Sequence, residues 1–200
     1  MASEGVLATL RAGWQAIGTC GVERAVVGGL ALSAWNHARY TRDADVLVAI
    51  DRGRIDELVQ SLTAAGFHPR HQPPLRWIDG QGIIPFLFQP DGALMPFQFD
   101  VLLAGGDFHR EAVARAVDRR LPGSMLPVRV VQPDDLIVIK LLAGRIIDLA
   151  DAAMVLRENR DAIDVSRLER SVAELGLTVD YERILREAFP GEAEPPVGPC

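Results

Sequence analysis

Apolar and polar positions alternate along the first two-thirds of the chain with periods that switch between helix and strand. Helical spacing over residues 6–17 predicts an amphipathic helix, with Leu7, Leu10, Trp14 and Ile17 on its apolar face. Further helices are predicted at 30–37, 54–65 and 107–117, and strands at 23–27, 45–50, 75–78, 83–88, 95–103 and 125–131. The run at 45–50 is apolar almost throughout, which is typical of a central strand covered on both faces.

Only helical patterns follow residue 133. They predict helices at 134–143, 146–158, 165–175 and 181–188. Residues 190–200 are rich in Pro, Gly and Glu, a composition that buries too little apolar surface to order a chain. We therefore expect an α/β (α+β) core over 1–131, with a mixed central sheet flanked by helices, a small C-terminal helical appendage over 132–189, and a disordered tail over 190–200.

Composition and charge argue against a membrane protein, a disulfide-rich protein and a protein that binds nucleic acid broadly. Apolar residues make up 48% of the 200, which suits one compact domain with a small appendage. The sequence has no run of eighteen apolar residues and no secretory leader, so we expect a cytoplasmic protein without a membrane span. Cys20 and Cys200 lie far apart, which indicates neither a disulfide framework nor a thiolate metal site. The net charge of −6 argues against broad nucleic-acid binding, so any polyanion must be met by a local group of arginines.

Three aspartates on predicted strands form the candidate chemical site. Asp43 and Asp45 stand two residues apart at the entrance of a strand, so their side chains point to the same face. Asp100 lies in a strand whose other face is apolar. Three neighbouring carboxylates repel one another and raise their pKa values unless cations lie between them. One or two Mg²⁺ (or Mn²⁺) ions would remove this conflict and clamp a triphosphate.

The glycine pair Gly28-Gly29 stands between a predicted strand and a predicted helix. Such a pair allows the backbone to approach a phosphate closely, and the N-terminus of the helix offers N–H donors and a positive dipole. Thirteen residues separate Gly29 from Asp43, enough for one helix and a return to the neighbouring strand. Each feature alone is common, but their order along the chain favours a combined nucleotide and metal site.

These motifs resemble those of the DNA polymerase beta-type nucleotidyltransferase superfamily, and within it the branch of abortive-infection (AbiEii-type) toxins and related small nucleotidyltransferases. The resemblance rests on Val27-Gly28-Gly29-Leu30-Ala31-Leu32, on Arg39-x-Thr41-x-Asp43-x-Asp45-Val46, on Asp100, and on the segment Lys140-Leu141-Leu142-Ala143-Gly144-Arg145-Ile146-Ile147-Asp148-Leu149-Ala150-Asp151. It implies the nucleotidyltransferase fold and the transfer of a nucleoside monophosphate from an NTP such as ATP to a hydroxyl group.

The resemblance also implies a role for each motif residue. Asp43, Asp45 and Asp100 would be both catalytic residues and metal ligands, with Asp100 assisting deprotonation of the acceptor hydroxyl. The implied nucleotide-binding residues are Gly28, Gly29, Arg39, Thr41 and Lys140. Arg39 and Thr41 would brace the loop or contact phosphate, and Lys140 would contact the triphosphate or the acceptor.

The segment after Lys140 leaves two interpretations open. On helix geometry, Lys140, Gly144, Asp148 and Asp151 are expected to share a face. Charge pairing among Lys140, Asp148 and Asp151, within or between helices, is the alternative to a direct catalytic role.

Two departures from the family pattern limit what the resemblance implies. Gly29 stands where superfamily members often have Ser, so backbone amides must bind the phosphate there. The segment after Pro133 is shorter than the helical domain of the larger toxins, which leaves the acceptor open. A toxin-like enzyme that acts on tRNA or protein, with a cognate antitoxin, is the first hypothesis. The alternatives are an antibiotic or other small-molecule nucleotidyltransferase and a non-catalytic nucleotide-binding module of the same fold.

Overall fold

The structure, a computed structural model, describes residues 2–78 and 80–191. Within these ranges the chain forms two compact units. The first comprises the described residues of Met1–Ala34 and Ala38–Val131, and the second those of Trp35–His37 and Gln132–Cys200. Most of the predicted disordered tail, residues 192–200, lies outside the described residues.

The first unit is built on a mixed sheet of eight strands among the described residues. Its helices are α1 (Glu4–Thr19), α2 (Gly28–Ala34), α3 (Ile55–Ala64) and α4 (Asp107–Arg115). Its strands are β1 (Glu23–Val27), β2 (Asp43–Ala49), β3 (His68–Pro69), β4 (Arg76–Ile78), β5 (Gln81–Phe88), β6 (Phe97–Leu103), β7 (Val117–Arg120) and β8 (Pro127–Val130). The strand order is β3-β5-β6-β2-β1-β8-β7, with β4 paired to β5. β2 pairs in parallel with β6 and β1 with β8, whereas the other pairs are antiparallel.

Alternation along the central strands separates a buried face of the sheet from the face that carries the aspartates. On β6, Phe99 and Val101 are fully buried, while Asp100 is half-buried on the opposite face. On β2, Val46 is fully buried and Asp45 is half-buried in the same way. Burial of the apolar face therefore fixes the register that brings the aspartates to the other face.

Helix α1 lies close to β6 because two of its glycines leave room for aromatic rings. A Cβ on Gly13 would overlap the ring of Phe99, and a Cβ on Gly5 would overlap the ring of Phe97. The helix is capped by Ser3, whose Oγ accepts a hydrogen bond from the backbone N–H of Val6 at 3.3 Å. α1 packs against β2 and α3 as well as β6, on the apolar side of the sheet.

The second unit is helical. It contains α5 (Pro133–Ala143), α6 (Ile146–Glu158), α7 (Val165–Glu174) and α8 (Thr178–Ala188), together with Trp35–His37. α5 packs against α6 and α7, and α6 packs against α8. Asn159 connects the short segment to this unit: its Nδ2 donates to the carbonyl oxygen of Trp35 at 2.8 Å, and its Oδ1 accepts from Nδ2 of Asn36 at 3.2 Å. None of the described helices is long and apolar enough to cross a membrane.

The predicted fold class is confirmed, because helices flank a mixed central sheet and helices alone follow it. Several element ends differ by a few residues; α2, for example, begins at Gly28 rather than at residue 30. The sequence pattern misses the short strands β3 and β7. β3 lies in a proline-rich stretch and β7 carries mostly exposed polar residues, so neither has the apolar alternation that indicates a strand.

The expectation that Lys140, Gly144, Asp148 and Asp151 share one helix face is wrong. Gly144 has a left-handed backbone, with a φ of +64°, and its N–H donates to the carbonyl oxygen of Lys140 as α5 ends. Lys140 therefore lies on α5, whereas both aspartates lie on α6.

Candidate functional site

The parallel pairing of β2 with β6 brings the three aspartates together. Asp45 and Asp100 are directly paired across the two strands, and Asp43 precedes Asp45 by two residues on the same face. One oxygen from each of the three carboxylates lies within 4.8 Å of the others, and all three residues are half-buried. We refer to Asp43, Asp45 and Asp100 as the carboxylate cluster.

Gly28 lies beside the carboxylate cluster, directly after β1. Val27 pairs with Asp45 across the strands, so the next residue comes close to the Asp45 side chain. A Cβ on Gly28 would overlap the carboxylate of Asp45. Gly28 also has a φ of +62°, in the left-handed region that residues with side chains disfavour. Both observations require glycine at this position.

The absence of a side chain at Gly29 leaves space for the Thr41 side chain, as Gly28 does for Asp45. A Cβ on Gly29 would stand 2.6 Å from Oγ1 of Thr41. Thr41 is buried, and its hydroxyl donates to Oδ1 of Asp43 at 2.7 Å. The hydroxyl therefore holds the Asp43 carboxylate, and its position leaves no room for a side chain at residue 29. Arg39, in the segment that leads to Thr41, is half-buried, and its Nη1 lies 3.5 Å from the carbonyl oxygen of Tyr40.

Asp100 is held by a neighbour on its own strand. Nε2 of Gln98 donates to Oδ2 of Asp100 at 2.8 Å, and Nη1 of Arg70 donates to Oε1 of Gln98 at 2.6 Å. Oδ1 of Asp100 is buried and has no hydrogen-bond partner among the described residues. Neither Gln98 nor Arg70 was among the residues predicted to form the site. The spacing of two residues between Gln98 and Asp100 on one strand is the signal that could have identified the first.

Burial is the main cause of a raised pKa for the Asp100 carboxyl. The hydrogen bond from Gln98 and the charge of Arg70 lower this pKa, and the charge of Asp43 raises it. The expectation that carboxylate repulsion raises the pKa is therefore correct in direction for Asp100. Desolvation nevertheless contributes more than the neighbouring charge.

The carboxylate cluster suits a hard divalent cation. It offers oxygens from three carboxylates, the ligand type that Mg²⁺ and Mn²⁺ prefer. The buried Oδ1 of Asp100 supports this fit, because a buried carboxylate oxygen without a donor is costly unless a cation binds it. A cation there would also remove the repulsion between the carboxylates. The residues present therefore fit a divalent metal ion.

Lys140, the only lysine in the sequence, is buried in a charged cluster within the second unit. Its Nζ lies 2.7 Å from Oδ1 of Asp148 and 3.0 Å from Oδ2 of Asp151. Nε2 of His37 lies 3.2 Å from Oδ1 of Asp151, and Arg145 pairs with Asp148. The structure therefore contains the charge pairing between helices that was the alternative to a catalytic role.

The charge state of Asp148 follows from its partners. Burial, the largest single cause, raises the pKa of the Asp148 carboxyl, but the hydrogen bonds and charges of Arg145 and Lys140 together outweigh it and hold this pKa below its ordinary value. Asp148 is therefore ionised at neutral pH and supplies part of the negative charge that keeps the Lys140 ammonium buried.

Comparison with known proteins identifies one matching family and several solved structures with a similar fold. The sequence matches the family described as Nucleotidyl transferase AbiEii toxin, Type IV TA system, over residues 23–197. No curated protein sequence matches the chain.

Several solved structures are similar to this one over most of its length. An antigenic nucleotidyltransferase-like protein from Paracoccidioides brasiliensis has 17% identity and a TM-score of 0.53, covering 97% of this chain and 96% of that one. JHP933 from Helicobacter pylori has 14% identity and a TM-score of 0.50, covering 94% and 83%. The antibiotic-resistance factor ANT(2'')-Ia has 18% identity and a TM-score of 0.53, covering 92% and 97%. At these identities the similarity establishes the fold.

The family match extends over both units and includes the glycine pair, the carboxylate cluster and the segment from Lys140 to Asp151. The similar structures share the overall fold of the chain. The chain belongs to the AbiEii family of nucleotidyltransferases, enzymes that transfer a nucleoside monophosphate.

Proposed function

We propose that this protein transfers a nucleoside monophosphate from an NTP such as ATP to a hydroxyl group, releasing pyrophosphate, with Mg²⁺ or Mn²⁺ as its cofactor. The observation that carries the proposal is the carboxylate cluster, with three oxygens within 4.8 Å of one another beside Gly28. A divalent cation supplies a clamp for the triphosphate and neutralises charge that develops during transfer.

The three carboxylates have separate roles in this proposal. Asp43 and Asp45 hold the metal, and the Thr41 hydroxyl orients the Asp43 carboxylate. Asp100 completes the ligand set and assists the loss of the proton from the acceptor hydroxyl. Its place in the carboxylate cluster supports this second role, because it puts a carboxylate oxygen beside the proposed metal ion.

The nucleotide contacts come from backbone amides and two cations. Gly28 and Gly29 bind phosphate through their N–H groups, since neither position accommodates a side chain and the amides of the first turn of α2 have no partner within the helix. Arg39 supplies a cation from the segment before β2. Lys140 directs two of its three N–H donors to Asp148 and Asp151, which leaves one for a phosphate oxygen.

The acceptor in this proposal is a hydroxyl of tRNA or of a protein, as for a toxin controlled by a cognate antitoxin in the cytoplasm. The family description as a type IV toxin–antitoxin nucleotidyltransferase supports it. Residues 1–131 form the catalytic core, and residues 132–189 form the helical appendage. A small-molecule acceptor is the second candidate, which the similarity of nearly the whole chain to the resistance factor ANT(2'')-Ia favours.

Thermal unfolding with each NTP tests the nucleotide site. A ligand that binds only the folded state stabilises it by about 2.7 kcal/mol at a concentration of about 100 Kd, so Mg²⁺ with the correct NTP should raise Tm. The shift should be lost in Asp43→Ala/Asp45→Ala, which removes two of the three proposed metal ligands. A wild-type protein whose Tm responds to no NTP would contradict the proposal.

Label transfer identifies the acceptor. The protein is incubated with each α-labelled NTP, with Mg²⁺ or Mn²⁺, and with separate pools of tRNA, protein and small metabolites. We expect label in the tRNA or protein pool and none with Asp100→Ala. Label in the metabolite pool supports the second candidate. Stabilisation by an NTP without label in any pool indicates a non-catalytic nucleotide-binding module.

A further inference from the structure

A chain of two hydrogen bonds leads from Arg70 to the carboxylate cluster. Nη1 of Arg70 donates to Oε1 of Gln98 at 2.6 Å, and Nε2 of Gln98 donates to Oδ2 of Asp100 at 2.8 Å. Gln98 is half-buried and Arg70 is exposed. The second oxygen of Asp100, Oδ1, is buried and has no hydrogen-bond partner among the described residues. The two oxygens of this carboxylate are therefore in different environments.

Backbone pairing holds the three residues in place. Gln98 and Asp100 are two residues apart on β6, so both side chains point to the same face. Arg70 directly follows β3, and its backbone N–H donates to the carbonyl oxygen of Pro85 at 2.9 Å. Pro85 on β5 is paired with Asp100 on β6. The sheet thus holds the backbone of Arg70 close to Gln98, the residue to which its side chain donates.

Arg70 and Asp100 together determine which way the Gln98 amide is turned. A guanidinium has only donors, so it requires the amide oxygen of Gln98 to face it. The amide nitrogen then faces Asp100, where it donates. Without Arg70 only Asp100 orients the amide, which is then held at one end instead of both. The geometry selects one amide orientation because only that orientation satisfies both neighbours.

We propose that Gln98 and Arg70 are positioning residues that fix the Asp100 carboxylate, with Oδ2 held by Gln98 and Oδ1 presented to the divalent cation. This inference rests on the proposed function, because it assumes that the carboxylate cluster binds a metal. A neutral amide orients the carboxylate and leaves its full negative charge for the cation, whereas an arginine in direct contact would compensate that charge. The use of an amide between the guanidinium and Asp100 therefore preserves the ligand strength of Asp100.

Mn²⁺ binding to the full chain without nucleotide tests the proposal. Free Mn²⁺ is titrated against each protein by electron paramagnetic resonance, which measures affinity independently of activity. Gln98→Leu removes the donor to Asp100 at similar side-chain size and should weaken Mn²⁺ affinity about tenfold, the loss typical of a hydrogen-bond partner of a metal ligand. Arg70→Leu leaves Gln98 in place but removes one of the two contacts that orient its amide, and should weaken affinity about threefold.

Arg76→Leu is the matched control. Arg76 is exposed on β4 opposite Ile83, which is paired with Leu102 on β6, so alternation places Arg76 on the same face as Asp100. The substitution removes the same charge from this face without removing a donor to Gln98. Because solvent screens exposed charges, Mn²⁺ affinity should stay within about twofold of wild type. If Arg70→Leu and Arg76→Leu weakened Mn²⁺ affinity equally, the effect of Arg70 would be due to its charge alone, and its positioning role would be overturned.

A double variant tests whether Arg70 acts through Gln98. Arg70→Leu/Gln98→Leu should bind Mn²⁺ no more weakly than Gln98→Leu alone, because the arginine has no amide left to orient. If the losses of Mn²⁺ affinity in the two single variants multiplied in the double variant, Arg70 would not act through Gln98. Tm values of the metal-free variants close to wild type, expected for substitutions at a half-buried and an exposed position, separate positioning from loss of fold.

The same titration distinguishes this inference from the proposed function. A wild-type protein that binds no Mn²⁺ overturns both the metal site and the positioning roles. Wild-type binding that is unchanged in Gln98→Leu overturns the positioning roles and leaves the metal site intact.

Discussion

Gly28 and Gly21 have almost the same left-handed backbone, with φ values of +62° and +61°, but different surroundings. Apart from Gly21 and its two chain neighbours, no described residue has an atom within 4 Å of a Cβ placed on Gly21, whereas a Cβ on Gly28 would overlap the Asp45 carboxylate. A side chain would therefore meet equal backbone strain at both positions and steric conflict at only one. This pair separates the conformational need for glycine from the need for space beside a proposed metal ligand.

Gly28→Ala is expected to abolish the rise in Tm that Mg²⁺ and NTP produce, because the Asp45 carboxylate must move to admit the methyl group. Gly21→Ala is the control. Both variants should lose about 1–2 kcal/mol of unfolding free energy to left-handed strain, but Gly21→Ala should keep its ligand response. Denaturant unfolding measures the first quantity and thermal unfolding with ligand measures the second. Equal ligand responses in the two variants would contradict the close approach of Gly28 to Asp45.

Asp100 couples the site to stability through its raised pKa. A carboxyl whose pKa rises on folding binds more protons in the folded than in the unfolded protein between its two pKa values. The free energy of unfolding therefore falls as the pH rises through this window, and the loss is constant above the folded-state pKa. Above the folded-state pKa the metal-free protein carries a cost for keeping Asp100 ionised.

Asp100→Asn is expected to stabilise the metal-free protein at pH 7, by about 1 kcal/mol or about 3 °C in Tm for a chain of this size. The gain should shrink as the pH falls toward the ordinary carboxyl range, because aspartate is then protonated as well. Asp118→Asn, at an exposed position of β7, should change the unfolding free energy by less than about 0.5 kcal/mol. Calorimetry in EDTA across this pH range provides the measurement, and a destabilised Asp100→Asn at pH 7 would rule out burial as the main cause of the pKa shift.

Among the elements, α5 and α6 are joined by buried charge. The Lys140 side chain is 6% exposed, and those of Asp148 and Asp151 are 0% and 3% exposed. Removing Lys140 leaves two buried carboxylates with less compensation, from Arg145 for Asp148 and from His37 for Asp151. The contact between these helices therefore depends on the ammonium of Lys140, whether or not it also contacts a nucleotide.

Lys140→Met is expected to lower the unfolding free energy by about 3 kcal/mol or more. Arg145→Ala is the control, because Arg145 contacts the same Asp148 from a side chain that is 72% exposed. Its loss should cost less than about 1 kcal/mol. Urea unfolding of both variants gives the comparison. Near-wild-type stability of Lys140→Met, combined with loss of the NTP response, would show that Lys140 serves the nucleotide rather than the helix contact.

Elements with a strong apolar pattern could be predicted from the sequence. β1 occupies residues 23–27 as expected, and the alternation of β6 predicts correctly which face carries Asp100. Strand partners could not be predicted, because pairing joins residues far apart in the sequence. Arg70 follows β3, a strand of two residues in a proline-rich stretch whose pairing with β5 has no apolar signal. The contact between Arg70 and Gln98 therefore becomes visible only in the folded chain.

For the whole molecule, net charge limits how an acceptor can be bound. The chain carries a net charge of −6, and apart from Lys140 its cations are arginines scattered along the sequence. Small groups of them include Arg39 with Arg42, Arg52 with Arg54, and Arg119 with Arg120. A polyanion is therefore attracted by one group while the overall charge repels it. If the acceptor is RNA, the protein should contact few of its phosphates.

Transfer to an RNA acceptor is therefore expected to depend only moderately on salt. Counterion release lowers binding with a logarithmic slope of about −0.7 per phosphate neutralised on a single strand and about −0.9 on a duplex. About two or three contacts give a slope near −2 for kcat/KM against salt, measured as initial rates of label transfer between about 50 and 400 mM KCl. Transfer to a protein acceptor should respond less, because no condensed counterions are released. A slope steeper than about −6 would require a continuous basic surface, which a chain of this charge and arginine distribution does not supply.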